Sequence, residues 1–201
     1  MDLNEYQLKA YSTAVFGGEL NYPIPAIAEE IGEVNNVLAD SLTSNTLAKD
    51  VIEDPKFKAK MLDELGDVLW NLAVICHLLG IPLESVYNYT TAFGQHASLT
   101  NVIANLARLT GSIGKLCGIF SKYVRKHDGV EPKVADIVGG KEDKLFTSIG
   151  NQCQVILEYF LGLIDSLDIA LESIMEHNIS KLAKRKANNT LGGAGSVERK
   201  E

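Results

Sequence analysis

Residues 61–80, MLDELGDVLWNLAVICHLLG, predict a long helix that is buried over most of its surface. Apolar side chains recur at every third or fourth position, and the stretch does not sustain the alternation that is typical of a strand. The helix has a favourable start at Asp54 followed by Pro55, and a favourable stop at Gly80. Polar Asn71 interrupts an apolar run that is too short to span a bilayer. The segment is therefore predicted to be a core helix.

The same periodicity continues in both directions and predicts an all-α fold, a helical bundle without strands. Two irregular segments, 43–54 and 129–140, are predicted loops. We expect one all-α domain over residues 1–186, followed by a flexible, Gly-rich tail at 187–201 with too little apolar content to pack. The other helices are expected at about Asn4–Val15, Ile24–Leu42, Leu83–Ala92, Leu99–Lys126, Glu142–Leu163 and Leu167–Lys186.

Composition excludes several classes of function. The chain has 201 residues, of which 46% are hydrophobic and 22% charged, so it can bury a substantial core. Its formal net charge of −7 argues against non-specific nucleic-acid binding, because phosphates would be repelled. The cysteines Cys76, Cys117 and Cys153 lack metal-ligand spacing and resemble reduced core residues. With no secretory signal and no membrane span in view, a cytoplasmic protein is expected.

The two halves of the chain resemble each other. LTGSIGKL at 109–116 repeats the apolar frame of IAEEIGEV at 27–34, and further matching stretches follow in the same order. We interpret the chain as two fused four-helix repeats, the first at about 1–93 and the second at about 94–186. The alternative is that two amphipathic helical halves look alike by chance, but the shared register and glycines favour duplication.

Two pairs of acids in the first repeat predict a metal site. Glu30 and Glu33 are three residues apart, as are Glu64 and Asp67, so each pair lies on one face of its helix. Four converging carboxylates would repel one another unless cations neutralise them. All-oxygen ligands favour Mg²⁺, with Mn²⁺ as a substitute. The alternative is a solvated acidic face, which the strongly apolar neighbours of both pairs disfavour.

In the second repeat these positions have lost their acids, and Lys115 stands where Glu33 stands in the first. Ser112, Ser148 and Asn151 stand where Glu30, Glu64 and Asp67 stand in the first. The second repeat is therefore predicted to have no metal site. Two aromatic residues, Trp70 and Tyr6, could stack on a nucleobase, but core packing is favoured for both.

Three stretches, YPIPAIAEEIGEV, DELGDVLWNLA and NISKLAKRKANNTLGGAGSVERK, resemble the MazG-type nucleoside triphosphate pyrophosphohydrolases. These belong to the all-α NTP pyrophosphatase group and are related to the dimeric dUTPases. The resemblance covers about residues 2–93 and 172–199. It implies Mg²⁺-dependent hydrolysis of a (deoxy)nucleoside triphosphate to the monophosphate and pyrophosphate. One departure is Gly195 followed by Ser196, where the family usually has an acid after the glycine.

The resemblance also implies roles for individual residues. The metal-binding and catalytic acids would be Glu30, Glu33, Glu64 and Asp67, and the residues that contact the nucleotide would be Asn178, Lys181 and Arg185. Because the end of the first repeat, YTTAFGQ, lacks the Asn-Lys-Arg pattern, we expect one composite site, with acids from the first repeat and cations from the second.

The resemblance leaves three functions open. A pyrophosphohydrolase is favoured, while the alternatives are a non-catalytic helical interaction module and a nucleotide-sensing module with a relic metal site. Small MazG-like proteins work as dimers, so the fused chain is expected to be a homodimer, with a monomer as the alternative, and to bind neither nucleic acid nor membrane. The preferred base and sugar are not identified by this pattern.

Overall fold

The computed structural model describes residues 1–44, 48–86 and 98–191, with the side chains of 48–50 left out. All regular elements in these ranges are helices, which confirms the all-α prediction. They are α1 (Leu3–Tyr11), α2 (Pro23–Thr43), α3 (Ala48–Glu53), α4 (Pro55–Leu78), α5 (Leu83–Val86), α6 (Leu99–Lys126), α7 (Val134–Val138), α8 (Asp143–Ser166) and α9 (Leu171–Ala187).

Two segments predicted to be loops contain short helices, so those predictions were wrong. Helix α3 lies within 43–54, and α7 lies within 129–140. Each brings an apolar side chain into the core, Val51 from α3 and Ile137 from α7, and both are 1% exposed. Local polarity suggested loops, but tertiary packing of these apolar side chains favours a short helix in each segment.

The boundaries of α4 follow the capping signals in its sequence. The Asp54 side chain accepts a hydrogen bond from the backbone N–H of Lys56, and Pro55 occupies the first helical position. At the other end, Gly80 has a φ of 66°. Its N–H donates to the carbonyl of His77, and the N–H of Ile81 donates to that of Cys76. This pair of bonds is a Schellman motif, which satisfies the last carbonyls of the helix.

Helix α4 is the centre of the first half and contacts α1, α2 and α9. In the second half, α6 packs along α8 in the same way that α2 packs along α4. The last helix, α9, packs against α4 of the first half, and the four-residue helix α5 contacts α1, α4 and α8. One hydrophobic core includes buried residues of both halves. This arrangement is consistent with two fused repeats, and the tandem duplication itself stays a prediction.

Some predictions concern residues outside the described ranges. They include the end of the first repeat and the start of the second (87–97, with the YTTAFGQ stretch), and most of the predicted tail (192–201). Within the ranges that are described, no helix combines the length and apolarity needed to cross a membrane.

Candidate metal and nucleotide site

Three glutamates from two helices come together at the interface of α2 and α4. One carboxylate oxygen from each of Glu30, Glu33 and Glu64 lies within 4.8 Å of the other two. The first two are neighbours on α2 because they are three residues apart, and Glu64 faces them from α4. All three side chains are partly buried. Three of the four acids that the sequence predicts as metal ligands therefore lie in one cluster.

The fourth predicted ligand, Asp67, lies beside this trio rather than within it. The residue is 8% exposed, and both of its carboxylate oxygens accept hydrogen bonds from α9. Asn178 Nδ2 donates to Oδ1 at 3.1 Å, and Lys181 Nζ donates to Oδ2 at 2.7 Å. Asp67 therefore connects the glutamates of the first half with a cation of the second half.

The acids strongly influence one another. Burial, followed by the negative charges of Asp67, Glu33 and Glu64 in that order, raises the pKa of Glu30 to about 8. Burial also raises the pKa of the Tyr22 hydroxyl, followed by the charges of Glu30 and Glu29. In the absence of a cation, the cluster therefore holds a proton at neutral pH.

Sequence reasoning missed Asp63, which organises the cations of α9. Its Oδ1 accepts a hydrogen bond from Lys181 Nζ at 2.8 Å and lies 3.0 Å from Nε2 of His177. Burial raises the pKa of Asp63, but the hydrogen bonds and charges of Lys181 and His177 outweigh it and lower the pKa overall. The signal in the sequence was its spacing, because Asp63 precedes Asp67 by one helical turn.

A glycine allows the two helices to approach closely at this point. A Cβ atom added to Gly66 would lie 3.1 Å from Cβ of Asn178 and 3.2 Å from its Nδ2. A side chain at this position would therefore require Asn178 to shift by a few tenths of an ångström. The Leu65-Gly66 step therefore lets α9 lie close to the acids of α4.

Comparison with known families identifies the acid-bearing part of the chain. Residues 20–92 match the model of the MazG nucleotide pyrophosphohydrolase domain. This part of the chain is a MazG-type domain. The match contains all four predicted metal acids but not the α9 cations, which lie beyond its end. Neither the curated proteins nor the solved structures contain a significant match to the chain.

A basic groove lies next to the acids of the MazG-type domain, between the first turns of α4 and the last turns of α9. Its cavity volume is about 570 Å³. Four cations line it, together with Asp63 and His177. The four cations are Lys60, Lys181, Lys184 and Arg185, and we call the cavity that they line the basic groove. Because Lys181 also binds Asp67, the groove is connected directly to the acid cluster.

The equivalent positions in the second half form no comparable cluster. Ser112 is buried, while Ser148 and Asn151 are exposed. The Ser148 hydroxyl donates to the carbonyl of Lys144 within its own helix. Among residues 1–44, 48–86 and 98–191, the three glutamates are the one group that could hold a metal ion.

Two aromatic residues considered as base platforms have other contacts in the structure. Trp70 Nε1 donates to the carbonyl of Ala10 and to Oγ1 of Thr13, both at 3.0 Å, which joins α4 to the end of α1. Tyr6 is fully buried. Both side chains therefore pack within the protein.

Proposed function

We propose that this protein hydrolyses a (deoxy)nucleoside triphosphate to the monophosphate and pyrophosphate, using Mg²⁺ at Glu30, Glu33, Glu64 and Asp67. The observation that carries the proposal is the cluster of three carboxylate oxygens within 4.8 Å, located inside a MazG-type domain. Like charges at this separation repel one another, and a bound cation would relieve the repulsion. The non-catalytic and sensing alternatives have no comparable observation in their favour.

The residues fit a hard divalent cation. Every donor in the cluster is a carboxylate oxygen, which suits Mg²⁺ and Mn²⁺ and does not suit the softer metals that prefer sulfur or imidazole. The raised pKa of Glu30 also favours a bound cation, because nearby positive charge would allow all the acids of the cluster to ionise. When bound, Mg²⁺ supplies the positive charge that draws phosphate oxygens to the site and stabilises the charge that develops as the phosphoanhydride is cleaved.

The cations of the basic groove would hold the phosphate chain. Lys181 already lies at the acid cluster, and Arg185 is one helical turn further along α9. Both would donate charge-assisted hydrogen bonds to the phosphates that leave as pyrophosphate. A glutamate of the trio would accept the proton of the attacking water. Lys60 and Lys184, which sequence reasoning did not select, would add positive charge along the same groove.

Asn178 of α9 contacts one of the proposed metal acids. Its side chain is fully buried and donates to Asp67. That it contacts the nucleotide stays a prediction, as do the homodimer and the cytoplasmic location. Multi-angle light scattering on the purified protein would test the homodimer.

A substrate panel tests the proposed function. Release of pyrophosphate from each natural NTP and dNTP would be measured with Mg²⁺ and with EDTA. We expect Mg²⁺-dependent turnover of at least one nucleotide, lost in Glu64→Gln and retained in Glu29→Gln, which removes a charge from an exposed position of α2. Tight nucleotide binding without turnover would favour the sensing module. An inert protein that binds no nucleotide would refute the proposal.

A further inference from the structure

Helix α1 reaches the acid cluster through a single buried hydroxyl group. Tyr6 is 0% exposed, and its Oη donates to Oδ1 of Asn178 at 3.0 Å. Asn178, which is also 0% exposed, in turn donates from Nδ2 to Asp67 at 3.1 Å. The three residues come from α1, α9 and α4, and they form one continuous chain of hydrogen bonds.

The chemistry of this chain permits one arrangement of donors and acceptors. A carboxylate only accepts hydrogen bonds, so the nitrogen of the Asn178 amide must face Asp67. The amide oxygen then faces Tyr6 and requires a donor, which the phenol supplies. Burial, and then the charge of Asp67, raise the pKa of Tyr6, so its proton stays in place across the physiological range. Tyr6 therefore fixes the orientation of the amide that faces the carboxylate.

The hydrogen bonds leave Asp67 able to bind a cation. Each carboxylate oxygen can accept from two directions, and Asn178 and Lys181 use one on each oxygen. Ligating carboxylates in metal sites are commonly held in this way by residues that do not touch the metal. The close approach of Asn178 to Gly66 leaves the amide little room to move.

We propose that Tyr6 is a positioning residue of the metal site, acting through Asn178 to hold the Asp67 carboxylate in the orientation that receives the cation. The inference rests on the proposed function, because it assumes a divalent cation at the acids. It also means that the MazG-type domain at 20–92 is completed by two helices outside the family match, α1 and α9.

The test measures metal affinity in the full-length protein. Binding of Mn²⁺ alone would be followed by calorimetry for wild type, Tyr6→Phe and Tyr11→Phe. Tyr11→Phe is the matched control, since it removes a hydroxyl from the same helix while the ring stacks on His77. We expect Tyr6→Phe to weaken Mn²⁺ binding about three- to tenfold, and Tyr11→Phe to leave it within about twofold.

A second pair of variants separates positioning from a general loss of stability. Asn178→Ala should weaken Mn²⁺ binding at least as much as Tyr6→Phe. If Tyr6 acts only through Asn178, then adding Tyr6→Phe to Asn178→Ala should weaken binding no further. Thermal melts would be recorded in parallel, because a purely structural role would lower Tm without changing the Mn²⁺ affinity of the folded protein.

The outcomes are distinguishable. Unchanged Mn²⁺ affinity in Tyr6→Phe, or independent effects of the two substitutions, would overturn the positioning role while leaving the metal site intact. A wild-type protein that binds no Mn²⁺ would instead overturn the proposed function. Weakened binding with non-additive substitutions supports the inference.

Discussion

Glu30→Gln should make the metal-free protein more stable than wild type, and this gain in unfolding free energy should increase with pH. The substitution stabilises although it removes a residue of the proposed active site. The folded protein resists ionisation of Glu30, because burial and then the charges of Asp67 and Glu33 raise its pKa to about 8. The folded state therefore retains a proton that the unfolded chain has already released. Stability from this group is lost as pH rises from about 4.5 to about 8. Glutamine mimics the protonated acid and removes the penalty.

The size of the effect follows from the two pKa values. Raising the pKa from 4.5 to about 8 corresponds to about 5 kcal/mol of unfolding free energy if the carboxylate were fully shielded. Because Glu30 is only partly buried, solvent screening reduces this to about 2 kcal/mol. For a chain of this size we expect Tm to rise by about 4–8 °C at pH 8.5 and by almost nothing at pH 4.5.

Thermal and urea denaturation would be measured in EDTA at several pH values, with Glu29→Gln as the control. Glu29 lies on the same helix but is exposed, so its replacement should change the unfolding free energy by less than about 0.5 kcal/mol. Saturating Mg²⁺ should reverse the order, since a ligand at 100 times its Kd adds about 2.7 kcal/mol to a protein that binds it. A stability difference that does not change with pH, or a variant less stable than wild type at pH 8.5 in EDTA, would refute the reasoning.

Three further substitutions test the site. Asp67→Asn should lower kcat about 100-fold or more with unchanged helical content by circular dichroism, because it removes charge and little volume; near-normal turnover would end the assignment of Asp67 as a ligand. Lys60→Ala should raise KM for the triphosphate about fivefold, because it removes one positive charge from the basic groove. Lys56 is an exposed cation on the same helix, so Lys56→Ala should leave KM unchanged. Equal effects of the two substitutions would argue against phosphate binding in the groove. Asn151→Ala should leave turnover within about twofold of wild type, because this exposed residue lies in the half of the chain away from the acid cluster. A large loss of turnover in a folded Asn151→Ala variant would indicate separate chemistry in that half.

Much of the fold could be predicted from the sequence because its signals are local. Helix α6 begins at Leu99 and ends at Lys126, as periodicity predicted, and α4 begins at Pro55 because Asp54 and Pro55 form a capped start. The short helices α3 and α7 could not be predicted in this way. Each packs a buried side chain, Val51 or Ile137, into the core, and burial is a property of the whole fold.

By itself, the sequence determined that the protein is helical and that its acids lie in two pairs with a spacing of three residues, because helical geometry places such residues on one face. Only the tertiary structure decided which groups meet. It brought Glu30, Glu33 and Glu64 together, bound Asp67 to Lys181, and added Asp63 to the cations of α9. The contacts of Lys181 with Asp63 and Asp67 join residues more than a hundred positions apart, and they lie where Asn178 of α9 packs closely against Gly66 of α4. No local pattern of residues encodes such a contact, because its geometry depends on how separate helices fit together.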